Sequence, residues 1–124
     1  MTTLDTILLV DDNAAILETT ARYLRSRKLE VICSESPFGL PSLIREHKPR
    51  VIVLDVMIPA LSGETIGAML RSQGQNTPII YYSAMQEEQL YALAQKTPNA
   101  SYVLKSDGSE VLHQAIRRVM EDVG

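Results

Sequence analysis

Five short apolar runs recur along the chain, and each is followed by a segment whose apolar residues have helical spacing. The apolar runs lie at 6–10, 31–33, 51–54, 79–82 and 102–104. The helical segments are predicted at 13–27, 36–47, 62–72, 86–96 and 108–122. The runs are continuous rather than alternating, which is typical of parallel strands covered on both faces. The pattern therefore predicts one doubly wound α/β domain over residues 1–124, a (βα)5 arrangement with helices on both faces of a five-stranded parallel sheet.

Pro41 falls inside the second helical segment. Proline lacks an amide hydrogen and clashes with the preceding turn of a helix, but it is tolerated in the first turn. We therefore expect the regular part of this helix to begin close to Pro41.

Composition narrows the classes of function. The chain has 124 residues and a net charge of −3, from 12 Lys and Arg against 15 Asp and Glu, which gives no electrostatic footprint for nucleic acid. No apolar run has the length of a membrane span, and the first residues lack the pattern of a secretory signal. We expect a cytoplasmic protein with no membrane partner and no direct nucleic-acid partner. The single cysteine, Cys33, is expected to be an inert buried thiol.

Polar residues of the types that take part in binding and catalysis follow four of the five predicted strands. Asp11, Asp12 and Asn13 follow the first strand, Asp55 the third, Ser83 the fourth and Lys105 the fifth. In open parallel sheets, ligands bind outside the carboxyl ends of the strands. The pattern therefore predicts that these side chains meet at one edge of the sheet.

The chemistry of this set favours phosphoryl transfer. Three carboxylates at one edge repel each other unless a cation lies among them, and Mg²⁺ prefers such oxygen ligands. Lys105 adds a positive charge suited to phosphate oxygens, and Ser83 adds a hydroxyl donor. A metal, a cation, a donor and a carboxylate nucleophile are the parts of a phosphoryl-transfer site.

Each residue taken alone also has a purely structural interpretation. Asp12 or Asn13 can cap the first helix, Asp55 and Ser83 can close turns, and Lys105 can be a solvated lysine. The conjunction of all of them at the correct strand ends favours the functional interpretation.

Two other kinds of site fit the sequence poorly. A nucleotide or flavin mononucleotide site needs a glycine-rich turn after the first strand, but the turn at 10–14 has two acids and no glycine. An aspartyl phosphatase commonly has a general acid two residues after its nucleophile, and this position is Met57, which cannot transfer a proton.

Four motifs give the chain a resemblance to a known family. They are LLVDDN at 8–13, LDVMIP at 54–59, YYSA at 81–84 and YVLK at 102–105. In this order and spacing, over essentially the whole chain, they resemble the receiver domain of two-component response regulators, the CheY-like fold. The resemblance, rather than the residues themselves, implies the strand order 2-1-3-4-5.

The resemblance also implies roles for the acidic residues. Asp55 would be the phosphoacceptor. Asp12 would coordinate Mg²⁺ directly, with Asp11 supporting it, often through water. Asp55 and the backbone carbonyl of Met57 would complete the protein ligands of the metal.

The remaining implied roles concern the phosphoryl group and the switch. Ser83 would donate a hydrogen bond to the phosphoryl group, and Lys105 would pair with it. Tyr102 is similar to an aromatic switch residue that turns inward when Ser83 moves toward the phosphate. The alternative for Tyr102 is an ordinary, half-buried strand aromatic.

Some positions depart from the common pattern of the family, and three of them bear on the chemistry. Ser106 stands where many members have a proline with a cis bond, and we expect a trans bond because a cis bond without proline is costly. Met57 and Met85 occupy positions that tune dephosphorylation in the family. Since neither side chain can orient a water by hydrogen bonding, we expect slow loss of the phosphoryl group.

The expected partners follow from the resemblance. The donor would be a phosphohistidine on a sensor histidine kinase or a phosphotransfer protein, and the domain would catalyse its own phosphorylation and dephosphorylation. The output would be a downstream protein target or a removed output domain, and the sequence leaves open whether a dimer forms on activation. Output contacts are expected on the fourth helix, fifth strand and fifth helix, with candidates Gln89, Tyr91, Lys96, Tyr102, His113, Arg117 and Arg118. A pseudo-receiver, an interaction module that never takes phosphate, is the alternative function.

Overall fold

The computed structural model describes residues 4–58 and 62–123. Strands and helices alternate along them: β1 Thr6–Val10, α1 Ala14–Ser26, β2 Glu30–Ser34, α2 Leu40–His47, β3 Val51–Leu54, α3 Gly63–Ser72, β4 Ile79–Ser83, α4 Glu87–Lys96, β5 Ala100–Leu104 and α5 Gly108–Val123. All strand pairs are parallel, and their order in the sheet is β2-β1-β3-β4-β5. The predicted doubly wound α/β fold and the strand order are confirmed.

The ends of the elements follow local chemistry. The α1 helix begins after Asn13, whose side-chain oxygen accepts a hydrogen bond from the amide of Ile16 at 3.1 Å. Asn13 rather than Asp12 is therefore the cap, as one of the two alternatives had it. The α2 helix begins at Leu40, four residues later than the predicted segment, and Pro41 lies in its first turn as expected.

The sheet separates two apolar cores. Along β1, Ile7 and Leu9 face the helices α1 and α5, while Leu8 and Val10 face α2, α3 and α4. Side chains alternate between faces along a strand, so a continuous apolar run supplies both cores. Burial on both faces fixes the position of each strand, and with it the residue at the strand's carboxyl end.

The prediction for Cys33 is wrong, since this thiol is exposed. Cys33 lies in β2, an edge strand that pairs only with β1. Val31 is the one buried side chain of that strand. Covering helices bury an edge strand less completely than a central one, which the apolar sequence of the run does not reveal.

A buried hydroxyl joins β4 to the end of α4. Tyr81 is fully buried, and its hydroxyl lies 3.0 Å from that of Thr97, which in turn donates to the carbonyl of Leu93 at 3.0 Å. The ring reaches this position across α3, where Gly67 leaves the space: a Cβ at that residue would collide with the Tyr81 hydroxyl. Glycine at this helical position is therefore required by packing.

Gly67→Ala is expected to lower the free energy of unfolding by about 1–3 kcal/mol, the usual cost of overpacking a core. In a Tyr81→Phe background the colliding hydroxyl is gone. The same substitution then becomes neutral or stabilising, because alanine is favoured over glycine inside a helix by about 1 kcal/mol. Urea unfolding of the four proteins measures this coupling. An equal loss in both backgrounds would contradict the packing requirement.

Candidate functional site

The carboxyl ends of β1 and β3 bring two aspartates together at the centre of the sheet. The amide of Asp55 donates to the carbonyl of Val10 at 3.0 Å, so the residue after β3 is anchored beside the end of β1. The amide of Asp11 donates to the carbonyl of Ser34 at 3.1 Å on the other side. Both aspartates therefore occupy fixed positions at the sheet edge, one residue beyond buried strands.

Three carboxylates form a cluster at this edge. Oxygens of Asp11, Asp12 and Asp55 all lie within 4.8 Å of one another. Asp11 and Asp55 are only 3% and 4% exposed, whereas Asp12 is exposed. Burial of two like charges at this separation is costly without a cation.

Lys105 lies against two of the three carboxylates. Its Nζ is 2.6 Å from Oδ2 of Asp11 and 3.2 Å from Oδ2 of Asp55. Burial alone would lower the pKa of Lys105, but the hydrogen bonds and charges of Asp11 and Asp55 outweigh it, and the pKa is raised above its ordinary value of 10.5. The lysine is therefore a permanent cation of the site. The formal charges of the three carboxylates and the one ammonium add up to −2.

The second oxygen of each buried carboxylate binds the backbone of the following loop. Oδ1 of Asp11 accepts from the amide of Asn13 at 2.9 Å, and Oδ1 of Asp55 accepts from the amide of Met57 at 3.1 Å. The Ser83 hydroxyl likewise accepts from the amide of Met85, at 3.3 Å. These side chains can therefore close a turn and also belong to the site, because the turn contact orients the side chain.

Gly63, which the sequence analysis did not single out, shapes the loop after Asp55. Its amide donates to the carbonyl of Val56 at 3.0 Å. A Cβ at Gly63 would lie 2.7 Å from the backbone carbonyl oxygen of Asp55 and from Cα of Val56. The start of α3 can therefore pack directly against the loop after Asp55 only with glycine here. The only signal in the sequence was a glycine directly after the Ser62 cap.

The rim of the site is apolar at Met57, whose side chain is 59% exposed. Met85 is partly buried against the core on the α2–α4 side of the sheet. The role of the Met57 carbonyl as a metal ligand stays a prediction.

The described residues contain no cis peptide, so the Lys105–Ser106 bond is trans as expected.

The side chain of Tyr102 contacts α4, where its hydrogen-bond partner is Glu87, 15 residues earlier in the chain. Its hydroxyl donates to Oε2 of Glu87 at 3.0 Å, and its ring meets that of Tyr91 edge-on with centroids 6.2 Å apart. This hydrogen bond is the first cause of a raised pKa of Tyr102, followed by desolvation. The ring is partly exposed, in keeping with the half-buried alternative; the switching role stays a prediction.

Two of the residues predicted for the output surface lie elsewhere. Arg117 donates to the backbone carbonyl of Arg27 at 2.9 Å, and His113 meets the ring of Tyr23 edge-on, with centroids 6.5 Å apart. Both side chains therefore pack against the α1 end of the fold. The prediction failed because the helical period of α5 distinguishes its buried face from its exposed one, but not which neighbouring helix its flanks contact.

The donor set fits a small hard dication. The three carboxylates and the predicted carbonyl of Met57 are all oxygen ligands, which Mg²⁺ prefers over nitrogen or sulfur ligands, and the formal charge of −2 on the cluster balances the charge of the ion. The lysine beside the cluster lets the site hold a further anion next to such an ion.

A sheet of this order, with acids after β1 and β3 and a lysine after β5, defines a class of doubly wound α/β domains. The family model of the response regulator receiver domain matches residues 7–117. The chain therefore belongs to this family and is a receiver domain of two-component response regulators. Receiver domains are generally signalling domains, and the family binds Mg²⁺ at an acidic pocket. In the described part of the chain, no helix combines the length and apolar character needed to cross a membrane.

Curated relatives include longer regulators. The chain is 36% identical over 78 residues to the response regulator MprA of Mycobacterium sp. (strain KMS), covering 63% of this chain and 34% of that protein. It is 26% identical over 114 residues to the transcriptional regulatory protein RstA of Escherichia coli (strain K12), covering 92% of this chain and 47% of that protein. The chain thus spans about a third to a half of the length of these relatives.

Solved structures share the fold over nearly the whole chain. The receiver domain of the Francisella response regulator 1452 has a TM-score of 0.87 at 22% identity, covering 97% of this chain and 99% of that chain. The chemotaxis response regulator CheY4 of Vibrio cholerae has a TM-score of 0.83 at 22% identity, with 94% and 99% covered. The BeF3-activated receiver domain of Klebsiella pneumoniae RstA has a TM-score of 0.83 at 25% identity, with 94% and 98% covered.

Lys105→Met is expected to lower the free energy of unfolding of the metal-free protein by about 3 kcal/mol. Removing one partner of a buried ion pair leaves Asp11 and Asp55 buried without their cation. Lys96→Met is the matched control, since Lys96 pairs with Glu64 at 3.3 Å with side chains 66% and 59% exposed. An exposed pair of this kind contributes about 1 kcal/mol or less. Urea unfolding with a chelator present measures both, and equal losses would contradict the structural importance of Lys105.

Proposed function

We propose that this receiver domain accepts a phosphoryl group from a phosphohistidine onto Asp55, in a Mg²⁺-dependent reaction, and that phosphorylation switches a protein-interaction surface. One observation carries the proposal. The buried carboxylate of Asp55 is held at the sheet edge between an ammonium and two further carboxylates, with its orientation fixed by the amide of Met57.

The reaction that this geometry supports is a transfer between two nucleophiles. A carboxylate oxygen of Asp55 forms a bond to phosphorus, and the bond from phosphorus to the imidazole nitrogen breaks. The imidazole leaves with the electron pair of that bond and takes up a proton. Bound by Asp11, Asp12, Asp55 and the carbonyl of Met57, Mg²⁺ would neutralise charge on the phosphoryl oxygens.

The protein's own donors support the product. Lys105 already contacts Oδ2 of Asp55, so a small movement brings its ammonium to a phosphoryl oxygen. The Ser83 hydroxyl, fully buried at the end of β4, exchanges its contact with the Met85 amide for a hydrogen bond to the phosphoryl group. Both groups are pre-positioned by the fold, which lowers the cost of binding the transferred group.

Access for the donor is available beside Lys105. A cavity of about 400 Å³ opens between the starts of α1 and α5, lined among others by Asn13, Ile16, Tyr82 and Ser109. We assign this opening to the approach of a phosphohistidine from a sensor histidine kinase or a phosphotransfer protein.

The output is proposed to be protein contact. On the α4 side, Tyr91 is 53% exposed and borders Tyr102, and on α5, Val111 is 40% exposed. Regulators such as RstA carry further chain beyond the matched part. The contact is therefore with a downstream protein or an output domain, with a dimer on activation as a further form of the same contact, and without direct nucleic-acid binding by this domain.

The alternative is a pseudo-receiver that never takes phosphate. The complete set of acids, hydroxyl and lysine supports the phosphoacceptor over this alternative. A module selected only for binding has no need of two buried carboxylates, since unneutralised buried charge is destabilising.

The first experiment measures the intact mass of the protein after incubation with a small phosphodonor and Mg²⁺. The wild-type protein is expected to gain one phosphoryl group, and only with Mg²⁺ present. Asp55→Asn abolishes the gain, because an amide is not a nucleophile of this kind. Asp107→Asn, an exposed acid two residues after Lys105 and outside the carboxylate cluster, is the matched control and keeps it. No gain in the wild type, or a gain that survives Asp55→Asn, would overturn the proposal.

The lifetime of the phosphoprotein tests the methionine rim. Met57 and Met85 cannot orient an attacking water, so the phosphoryl group is expected to persist for minutes or longer in Mg²⁺ buffer. Met57→Asn introduces a side chain that can hold a water beside the phosphoryl group, and it is expected to speed the loss roughly tenfold. Intact mass followed over time measures both rates. Loss from the wild type within seconds would contradict the expectation.

A further inference from the structure

Two residues of α4, one turn apart, hold the side chain of Tyr102. Glu87, the first residue of the helix, accepts the hydrogen bond of the Tyr102 hydroxyl at 3.0 Å. Tyr91, one turn later, meets the ring at an interplanar angle of 89°. Edge-to-face contacts and charge-assisted hydrogen bonds are both favourable, so this position of Tyr102 is specifically stabilised.

The same segment leads directly to the phosphoacceptor site. Ser83 ends β4, its hydroxyl accepts from the amide of Met85 at 3.3 Å, and Glu87 follows four residues after Ser83. Tyr81 is the register partner of Tyr102. Ser83 is two residues beyond Tyr81 and therefore lies on the same face of the sheet as Tyr81 and Tyr102.

The proposed switch involves two movements, and each one breaks a contact of this segment. The Ser83 hydroxyl turns toward a phosphoryl group only by leaving the amide of Met85. This movement releases the short loop that leads to Glu87, the first residue of α4. The Tyr102 ring leaves the surface only by breaking its hydrogen bond with Glu87 and its contact with Tyr91. Because both movements disturb the same short segment, 83–87, we expect each to lower the cost of the other, which is the condition for coupling between two sites.

We propose that Glu87 is a latch that holds Tyr102 at the surface of the unphosphorylated domain, and that the strength of this latch limits the affinity of the site for a phosphoryl group. The inference rests on the proposed function and adds the regulation of that site. Because a ligand shifts a conformational equilibrium only through its difference in affinity for the two states, a weaker latch means tighter binding of the phosphoryl group.

Glu88 provides the matched control. It is also exposed and lies in the same first turn, so it makes a similar interaction with the helix dipole. The hydroxyl hydrogen of Tyr102 is directed to Glu87 and not to Glu88. Substitution of either glutamate changes the net charge and the helix terminus equally, and only one substitution releases Tyr102.

The test measures the affinity for beryllofluoride, a mimic of the phosphoryl group, in the presence of Mg²⁺. Glu87→Ala is expected to tighten binding about threefold, the size expected for loss of one exposed charge-assisted hydrogen bond. The affinity of Glu87→Gln, whose amide oxygen is a weaker acceptor, is expected to lie between those of Glu87→Ala and the wild type. Glu88→Ala leaves the affinity unchanged. In a Tyr102→Phe background, Glu87→Ala has no further effect, because the hydroxyl that it holds is absent.

Nuclear magnetic resonance of ring-labelled tyrosine gives a second measurement without the mimic. The Tyr102 signal, assigned by its loss in Tyr102→Phe, is expected to shift in Glu87→Ala and to stay in place in Glu88→Ala. Unchanged or weakened beryllofluoride binding in Glu87→Ala, or the same tightening with Phe at position 102, would overturn the latch. Absence of binding in the wild type would instead refute the proposed function, so the two failures are distinguishable.

Discussion

Three carboxylates lie together at the centre of the sheet edge with one ammonium, which contacts two of them, and the rest of the site depends on this imbalance of charge. Asp11 and Asp55 are almost completely buried, and Lys105 contacts both. Lys105 stabilises the two buried carboxylates, but the formal charge of the whole cluster is still −2. In the reaction we propose, a site with surplus negative charge and oxygen ligands binds a hard dication first, and a phosphoryl group only together with it. The order of charge neutralisation thus explains why the proposed reaction requires Mg²⁺.

The parallel sheet makes this cluster possible. Strands β1 and β3 are buried on both faces, so their carboxyl ends are held with little freedom, and the aspartates follow directly. The turn contacts then fix one oxygen of each carboxylate and leave the other for Lys105. Gly63 lets α3 start directly against the Asp55 loop. The same hydrogen bonds that close the loops therefore orient the functional groups.

Much of the fold and site could be predicted because the relevant signals are local. Continuous apolar runs predicted the five strands, and residues directly after them predicted which side chains meet. The strand order came from the resemblance, since periodicity does not say which strands are neighbours. The exposure of Cys33 was predicted wrongly because it depends on how completely the helices cover an edge strand. The position of Arg117 was predicted wrongly because it depends on which helix packs beside α5. Glu87 was missed because its partner, Tyr102, is brought near only by the β4–β5 pairing.

The most direct test of the central claim is chemical identification of the modified atom. After incubation with a small phosphodonor and Mg²⁺, borohydride reduces an aspartyl phosphate to the alcohol, and peptide mapping then locates the reduced residue. Reduction at Asp55, and only when both Mg²⁺ and the donor are present, is the predicted result. Reduction at Asp11 or Asp12, or at no carboxylate, would contradict the assignment of Asp55 as the phosphoacceptor.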